Sequence, residues 1–380
     1  MNIGIFTELY PPSIGGQEIR FAELAQVFRE RGHNVSVYCI SHKRILPARE
    51  IADGIEVHRF PVDEHYQRPQ SRLLPRNPIT ILRYAWWVRG VLKARSFDLT
   101  LFNQWPLAHI AFAPRSARKT AILDWCEVRN AGFYRFLQRT LPRLSGQNMG
   151  VGLAVCEQIG AASGRPVFYI PSGIRRAAYR SLPAADRRGI LYLGRVTEHK
   201  NLPLLIDAFA RLDTAGDDGH GKAGLDELVI AGDGPELPAV RAHAAASPAA
   251  ARIRILGSVT EQQKIDLLSS ARLLAIPSRR EGFPRIVAEA MASGLPTVTA
   301  SFAENGTSAI VDHYACGVVT APDVDAFARG LVAASAGWDD FSRQGLSRAD
   351  ELDWQALAQQ LESRAGTDIS KPKVQDSCAF

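Results

Sequence analysis

The chain has 380 residues, 46% hydrophobic and 22% charged, and exceeds the size of one ordinary core, so two domains are expected. No apolar run approaches the roughly 20 residues that span a bilayer, and the five cysteines (Cys39, Cys126, Cys156, Cys316, Cys378) are scattered without Cys-x-x-Cys spacing, which argues against a membrane span, disulfides and structural zinc. The net charge of +6 is uneven, with 22 Lys and Arg against 13 Asp and Glu in residues 1–170, yet no nucleic-acid-binding module accompanies it.

In chain order, NIGIFTE from Asn2 reads as a first strand. It starts at residue 2 with no basic leader before it, so a cytoplasmic location is expected. Gly15 and Gly16 lie on the loop that follows, where glycine permits positive φ and close backbone approach, although Pro11-Pro12 and the lack of a third glycine separate this loop from the dinucleotide fingerprint. RFAELAQVFRERGHN reads as a helix ending at Gly32, and VSVYCI and IEVHRFP as strands. Between Glu64 and Asp98 there is no acid, while Arg68, Arg72, Arg76, Arg83, Arg89, Lys93 and Arg95 alternate with Leu73, Leu74, Ile81, Trp86 and Trp87. This stretch, with a helix near 78–95, reads either as a solvated face over a core stripe or as a peripheral contact with the inner membrane surface. DLTLFN and TAILDW are strands, and a helix near 133–144 and VGLAVCE follow.

After a hinge expected near 164–174 the α/β rhythm restarts: GILYLGR, LPLLIDAFARL, ELVIAGDG, a helix near 235–246, RIRILGS, a helix near 261–271, LLAIPS, a small-residue helix, TVTAS and ACGVVT. Residues 214–224 read as a surface loop, WQALAQQLESRA as a last helix, and SKPKVQDSCAF as a disordered tail. The expected class is α/β, with two doubly wound parallel-sheet domains at 1–168 and 169–353, a helix at about 354–366 and a flexible tail at 367–380.

The segment RREGFPRIVAEAMASGLPTV places Glu281 and Glu289 eight residues apart around a Gly282-Phe283-Pro284-Arg285 turn that opens a helix. Helix N-termini attract anions, and at about 1.5 Å per residue the two carboxylates would lie roughly 12 Å apart, enough to hold both ends of a nucleotide-sugar. An ordinary amphipathic helix with a capping and a solvated Glu would show the same residues. YLGRVTEHKN puts Arg195 and Lys200 after a strand, where two fixed cations could meet a leaving diphosphate. Asp323-Val324-Asp325 spells a metal-binding D-x-D but reads better as a helix N-cap with a first-turn acid, and no His/Asp/Glu cluster calls for a metal.

These residues, from the glycine loop to the last helix and most specifically between 190 and 298, resemble the retaining family-4 (group 1) glycosyltransferases of the GT-B fold, whose mark is the Glu-x7-Glu element. The resemblance implies two Rossmann-like domains facing a cleft, the last helix crossing back onto the first. It implies transfer of a hexosyl group from a nucleotide-diphosphate sugar to an acceptor hydroxyl, with retention and without a metal or other cofactor. A UDP-sugar is favoured over a GDP-sugar, although the residues leave the base open. By the same resemblance Arg195 and Lys200 grip the diphosphate, Glu281 the sugar and Glu289 the ribose. Gly15 and Gly16 face the donor phosphate, and Val259, Glu261 and Lys264 lie near the base. On the acceptor side many such enzymes carry a histidine where this chain reads Asp124-Trp125-Cys126-Glu127. His109, Asp124 and Glu127 are the candidates there, and Asp124 and Glu127 could equally pair with Arg129 and Arg135. A lipid-linked or polysaccharide precursor is preferred as acceptor over a small natural product. A GT-B epimerase or phosphorylase, and a non-catalytic nucleotide-sugar-binding protein at the membrane surface, are the rival readings.

Overall fold

The structure is a computed structural model that describes residues 1–13, 15–41, 43–61, 66, 76–129, 132–212, 224–282 and 284–365. Residues 1–171 with the terminal helix form one compact unit, and residues 172–353 a second.

The first unit is built on eight strands: β1 (Asn2–Phe6), β2 (Asn34–Ile40), β3 (Arg49–Ala52), β4 (Ile55–Phe60), β5 (Leu99–Asn103), β6 (Ala121–Trp125), β7 (Gln147–Gly150) and β8 (Phe168–Tyr169). Their order is β3-β4-β2-β1-β5-β6-β7-β8, parallel throughout except for the β3–β4 hairpin. The central strands are almost wholly apolar because both faces are covered. Ile3, Ile5, Leu101 and Ile122 enter a core shared with α1 (Gly16–Glu30) and the terminal helix α14 (Trp354–Ser363). Phe6, Phe102 and Leu123 enter the opposite core, under α2 (Pro78–Ala94), α3 (His109–Phe112), α4 (Arg115–Thr120), α5 (Gly132–Thr140) and α6 (Leu153–Ser163). Asn77 caps α2 through Ile79 N, and Gly32, at φ +85°, follows α1. Arg31 and His33 both hold the Glu362 carboxylate and Trp354 Nε1 donates to Glu23, which fastens α14 to α1.

The second unit carries β9 (Ile190–Leu193), β10 (Leu228–Ala231), β11 (Ile253–Gly257), β12 (Leu273–Ile276), β14 (Thr297–Ala300) and β16 (Gly317–Thr320) in the parallel order β11-β10-β9-β12-β14-β16. A separate two-residue pair joins β13 (Arg280–Glu281) to β15 (Glu304–Asn305). The helices are α7 (Leu202–Arg211), α8 (Leu237–Ala246), α9 (Glu261–Ser270), α10 (Arg285–Ala292), α11 (Gly306–Tyr314), α12 (Val324–Ala336) and α13 (Trp338–Ala349). Asp323 is the N-cap of α12, its carboxylate accepting from Ala326 N at 2.8 Å, and Asp325 lies in the first turn.

Among the parallel strands of each sheet the order reverses once, between β1 and β5 in the first unit and between β9 and β12 in the second. Open α/β sheets collect ligands beyond the carboxyl ends of the strands at such a reversal.

Candidate active site

In the second unit the reversal is flanked by the loop after β9, with Arg195 and Lys200, and the loop after β12, with Ser278 to Glu281. Both loops are fastened. Val196 N donates to Asp233 O at 2.9 Å, Glu236 N to Val196 O at 3.1 Å and Arg279 N to His199 O at 2.7 Å. This contact explains AGDG. A Cβ on Gly232 would lie 1.8 Å from Gly194 O and one on Gly234 2.1 Å from Val196 O, so both glycines serve backbone approach within the loops.

Lys200 Nζ is ion-paired with Glu281 Oε1, and Ser278 Oγ donates to the same oxygen at 2.8 Å. Arg195 is exposed beside them, its carbonyl accepting from Tyr192 Oη at 2.8 Å. Glu281 precedes α10 and sits in β13, so only Arg285 to Glu289 have helical rise, about 6 Å. The 12 Å helical span expected from sequence therefore does not apply, because α10 begins only at Arg285. Pro284 is the N-cap of α10, and Phe283 lies outside the described residues.

Glu289 is buried, at 4% exposure, and cations surround it. Lys264 Nζ lies 2.8 Å and Arg285 Nε 3.2 Å from its Oε1, and Lys264 also reaches Glu261 at 2.7 Å. The Thr260–Gln263 capping box starts α9, the helix that carries Lys264. Val259 is half-buried before it, and the Glu261 side chain is mostly exposed. Sequence reasoning missed Tyr179, whose ring centroid is 5.9 Å from Lys264 Nζ. Burial, then the Glu289 carboxylate, pushes its hydroxyl pKa up. Ser278 was missed too, although its place just past β12 is a usable signal. His199, between the two cations, is held below the ordinary imidazole range by burial and then by Lys200.

The first unit treats its candidates differently. Gly15 is the extended N-cap of α1 at φ −163°, and Gly16 has open space around its Cβ position, so the positive φ expected of this loop is not used. His109 is wholly buried on α3, with its ring centroid 5.1 Å from Phe102 and 6.1 Å from Tyr84. Burial lowers its pKa to about 3, against a small opposing pull from the Phe6 backbone. An acceptor contact through this ring would require the aromatic cluster to open. Asp124 is also wholly buried. It pairs with Arg20 Nε at 2.9 Å, and Arg20 also donates to Ile170 O and Pro171 O. Burial raises the Asp124 pKa and Arg20 opposes the rise. Glu127 does pair with Arg129, at 2.8 Å, and accepts from Trp105 Nε1 at 3.0 Å.

A further cluster lies past β1, β5 and β6. Glu8 is ion-paired with Arg76 at 2.5 Å, and Gln104 Oε1 accepts from Cys126 N and Glu127 N. The Arg129 guanidinium lies 4.8 Å from the Trp105 ring centroid and 5.1 Å from that of Tyr134. Among the described residues no group of three His, Cys, Asp or Glu could hold a metal ion, and no helix is long and apolar enough to cross a membrane.

Residues 177–342 match the family described as glycosyl transferases group 1, and residues 15–194 match the glycosyl transferase 4-like domain. The chain is a glycosyltransferase built from these two domains. This glycosyltransferase is 30% identical over 149 residues to an alpha-D-kanosaminyltransferase of Streptomyces kanamyceticus, a match covering 39% of this chain and 36% of that protein. It is 24% identical over 379 residues to a phosphatidyl-myo-inositol mannosyltransferase of Mycolicibacterium smegmatis, covering 95% of this chain and 92% of the relative. Among solved structures, a sucrose-phosphate synthase from Thermosynechococcus elongatus superposes with a TM-score of 0.69 at 17% identity, covering 95% of this chain and 97% of the other. The fold is the two-domain, parallel-sheet GT-B architecture.

Proposed function

We propose that this glycosyltransferase moves a hexosyl group from a nucleotide-diphosphate sugar, a UDP-sugar before a GDP-sugar, to an acceptor hydroxyl with retention and without a metal. The observation that carries the reading is the pair of carboxylates at the strand reversal of the second unit, each held by its own lysine: Glu281 by Lys200 and Glu289 by Lys264. A lysine-bound carboxylate can exchange its partner for ligand hydroxyls while the lysine turns to phosphate. Glu289 suits the ribose, with Lys264, Glu261, Val259 and Tyr179 on the base side. Glu281 suits the sugar, and Arg195, Lys200 and the α10 N-terminus suit the diphosphate.

In the reaction the bond from the anomeric carbon to the phosphate oxygen breaks, and a bond to the acceptor oxygen forms on the same face. The acceptor proton passes to the departing phosphate. Charge grows on the leaving diphosphate, and fixed cations there stabilise the transition state more than the ground state. Gly15, Gly16 and the strand-end cluster of the first unit belong, on this reading, to the phosphate and acceptor side. Glu127 is the accessible acidic candidate there.

The relatives are named for kanosaminyl transfer and for a phosphatidyl-myo-inositol mannosyltransferase, and the second name supports a lipid acceptor. The basic first unit favours a lipid-linked or polysaccharide precursor. Incubation with UDP-, GDP- and ADP-sugars plus chelator and candidate acceptors, with NMR of the product anomeric proton, tests the whole proposal. Release of one nucleoside diphosphate with an axial donor giving an axial product supports it. Inversion, or activity abolished by chelator, contradicts it.

A further inference from the structure

Ten large hydrophobic side chains are exposed among the described residues, and five of them fall on two helices of one layer: Ile79 (65%), Leu82 (48%) and Trp86 (62%) on α2, and Phe133 (52%) and Phe136 (62%) on α5. Both helices bury their other side in the same core, through Tyr84, Val88 and Leu92 from α2 and Tyr134 from α5. Spacings of three and four residues put Ile79, Leu82 and Trp86 on one helical stripe, and Phe133 and Phe136 on another. Core packing already has its own stripe on each helix, so it does not account for these five.

The charges in this part of the chain are predominantly positive, although α6, packed beside α5, carries the exposed acid Glu157. Residues 76–145 contain twelve Lys and Arg against three Asp and Glu. Asp98 accepts from Asn2 N, Asp124 is buried against Arg20, and Glu127 is paired with Arg129, so each acid is already engaged. Arg83 and Lys93 share the outer stripe of α2, and Arg135 and Arg139 flank the phenylalanines of α5. Among the described residues these four have no carboxylate partner. The layer on the other side of the sheet, α1 and α14, mixes the signs, with Glu18, Glu23, Glu30 and Glu362 beside Arg20 and Arg29.

We propose that the outer face of the α2–α5 layer docks on an anionic lipid bilayer surface, with Trp86, Phe133 and Phe136 entering the headgroup boundary and the surrounding arginines and lysines meeting lipid phosphates. Interleaved apolar and basic side chains on helices lying flat against a core suit an interface that is apolar below and anionic above. An acidic protein partner would need only the charge, and a second copy of this chain would set like charges against each other. The inference rests on no part of the donor-site assignment.

The test is co-sedimentation of the full chain with vesicles of phosphatidylcholine alone and of equimolar phosphatidylcholine and phosphatidylglycerol, at low and high salt. Binding is expected to the anionic vesicles only, weakening as salt screens the charges. The exposed substitutions Phe133→Ser with Phe136→Ser, and separately Arg135→Glu with Arg139→Glu, should each lower partitioning at least about tenfold while leaving nucleotide binding unchanged. Brominated lipid should quench the native fluorescence more than that of Trp86→Phe. No association with anionic vesicles at low salt overturns the proposal, as does association that neither pair of substitutions reduces. A concentration-dependent dimer, disrupted by the same substitutions in the absence of vesicle binding, would assign the face to a second copy and overturn it equally.

Discussion

Glu281 and Asp124 both lie towards the carboxyl ends of parallel strands, Glu281 in β13 past β12 and Asp124 within the last residues of β6. Their surroundings differ. The Glu281 side chain is 13% exposed and meets a lysine and a serine hydroxyl, whereas the Asp124 side chain is fully buried against an arginine that also ties Ile170 and Pro171. Lysine is a single mobile charge that a ligand can displace, while a buried guanidinium with three partners is a fixed part of the architecture. A strand-end carboxylate is thus a structural group in the first unit, and under the proposed function a ligand-binding one in the second.

The largest expected effect tests the structural side. Asp124→Ala leaves the Arg20 charge uncompensated in the core and should cost about 3–5 kcal/mol in urea unfolding. A loss below about 1 kcal/mol, in the range of a surface pair, would erase the contrast. On the ligand side, Glu281→Ala should lower turnover by about a hundredfold or more while the unfolding free energy moves by only about 1 kcal/mol. The reverse pattern, with activity intact and stability lost, would make Glu281 structural as well.

A smaller effect is expected at Tyr179. Replacement by Phe removes the hydroxyl beside Glu289 and should raise KM for the donor up to about tenfold with kcat nearly unchanged. A fall in kcat alone would place Tyr179 with the chemistry instead. The remaining effect concerns pH. His109 titrates near 3 when folded, against an ordinary value of 6.5, so acid protonates the unfolded chain first. Its contribution to stability is complete above about 6.5 and is lost as pH falls towards about 3. His109→Leu should flatten that part of the acid limb of the stability profile, and an unchanged limb would show that the buried imidazole is not responsible.

The α/β class was legible because apolar strands alternate with helical periodicity, and Asp323 was legible as a cap because its turn is local. What the sequence left hidden is mostly long-range. Nothing near Asp124 pointed to Arg20, 104 residues away, when Arg129 and Arg135 were closer in the chain. The burial of His109 depends on Tyr84 and Phe102 converging from other elements. At the candidate active site the four residues Lys200, Lys264, Glu281 and Glu289 could be picked out individually, but which lysine holds which carboxylate follows only from the order β9-β12-β14 and the entry of α9. The Glu281 to Glu289 spacing was visible, yet its conversion to a distance failed because Pro284 delays the helix to Arg285.

The central claim is that the paired carboxylates bind a nucleotide-diphosphate sugar. Its most direct test is thermal stabilisation of the wild-type chain, Glu281→Ala and Glu289→Ala by UDP, GDP and ADP and their sugars in the presence of chelator. One nucleotide should stabilise the wild type, by roughly 2.7 kcal/mol at about 100 times its Kd. Glu289→Ala should lose the response to the free nucleotide, and Glu281→Ala only the extra response to the sugar conjugate. Stabilisation by none of them, or an equal response from all three chains, would contradict the assignment.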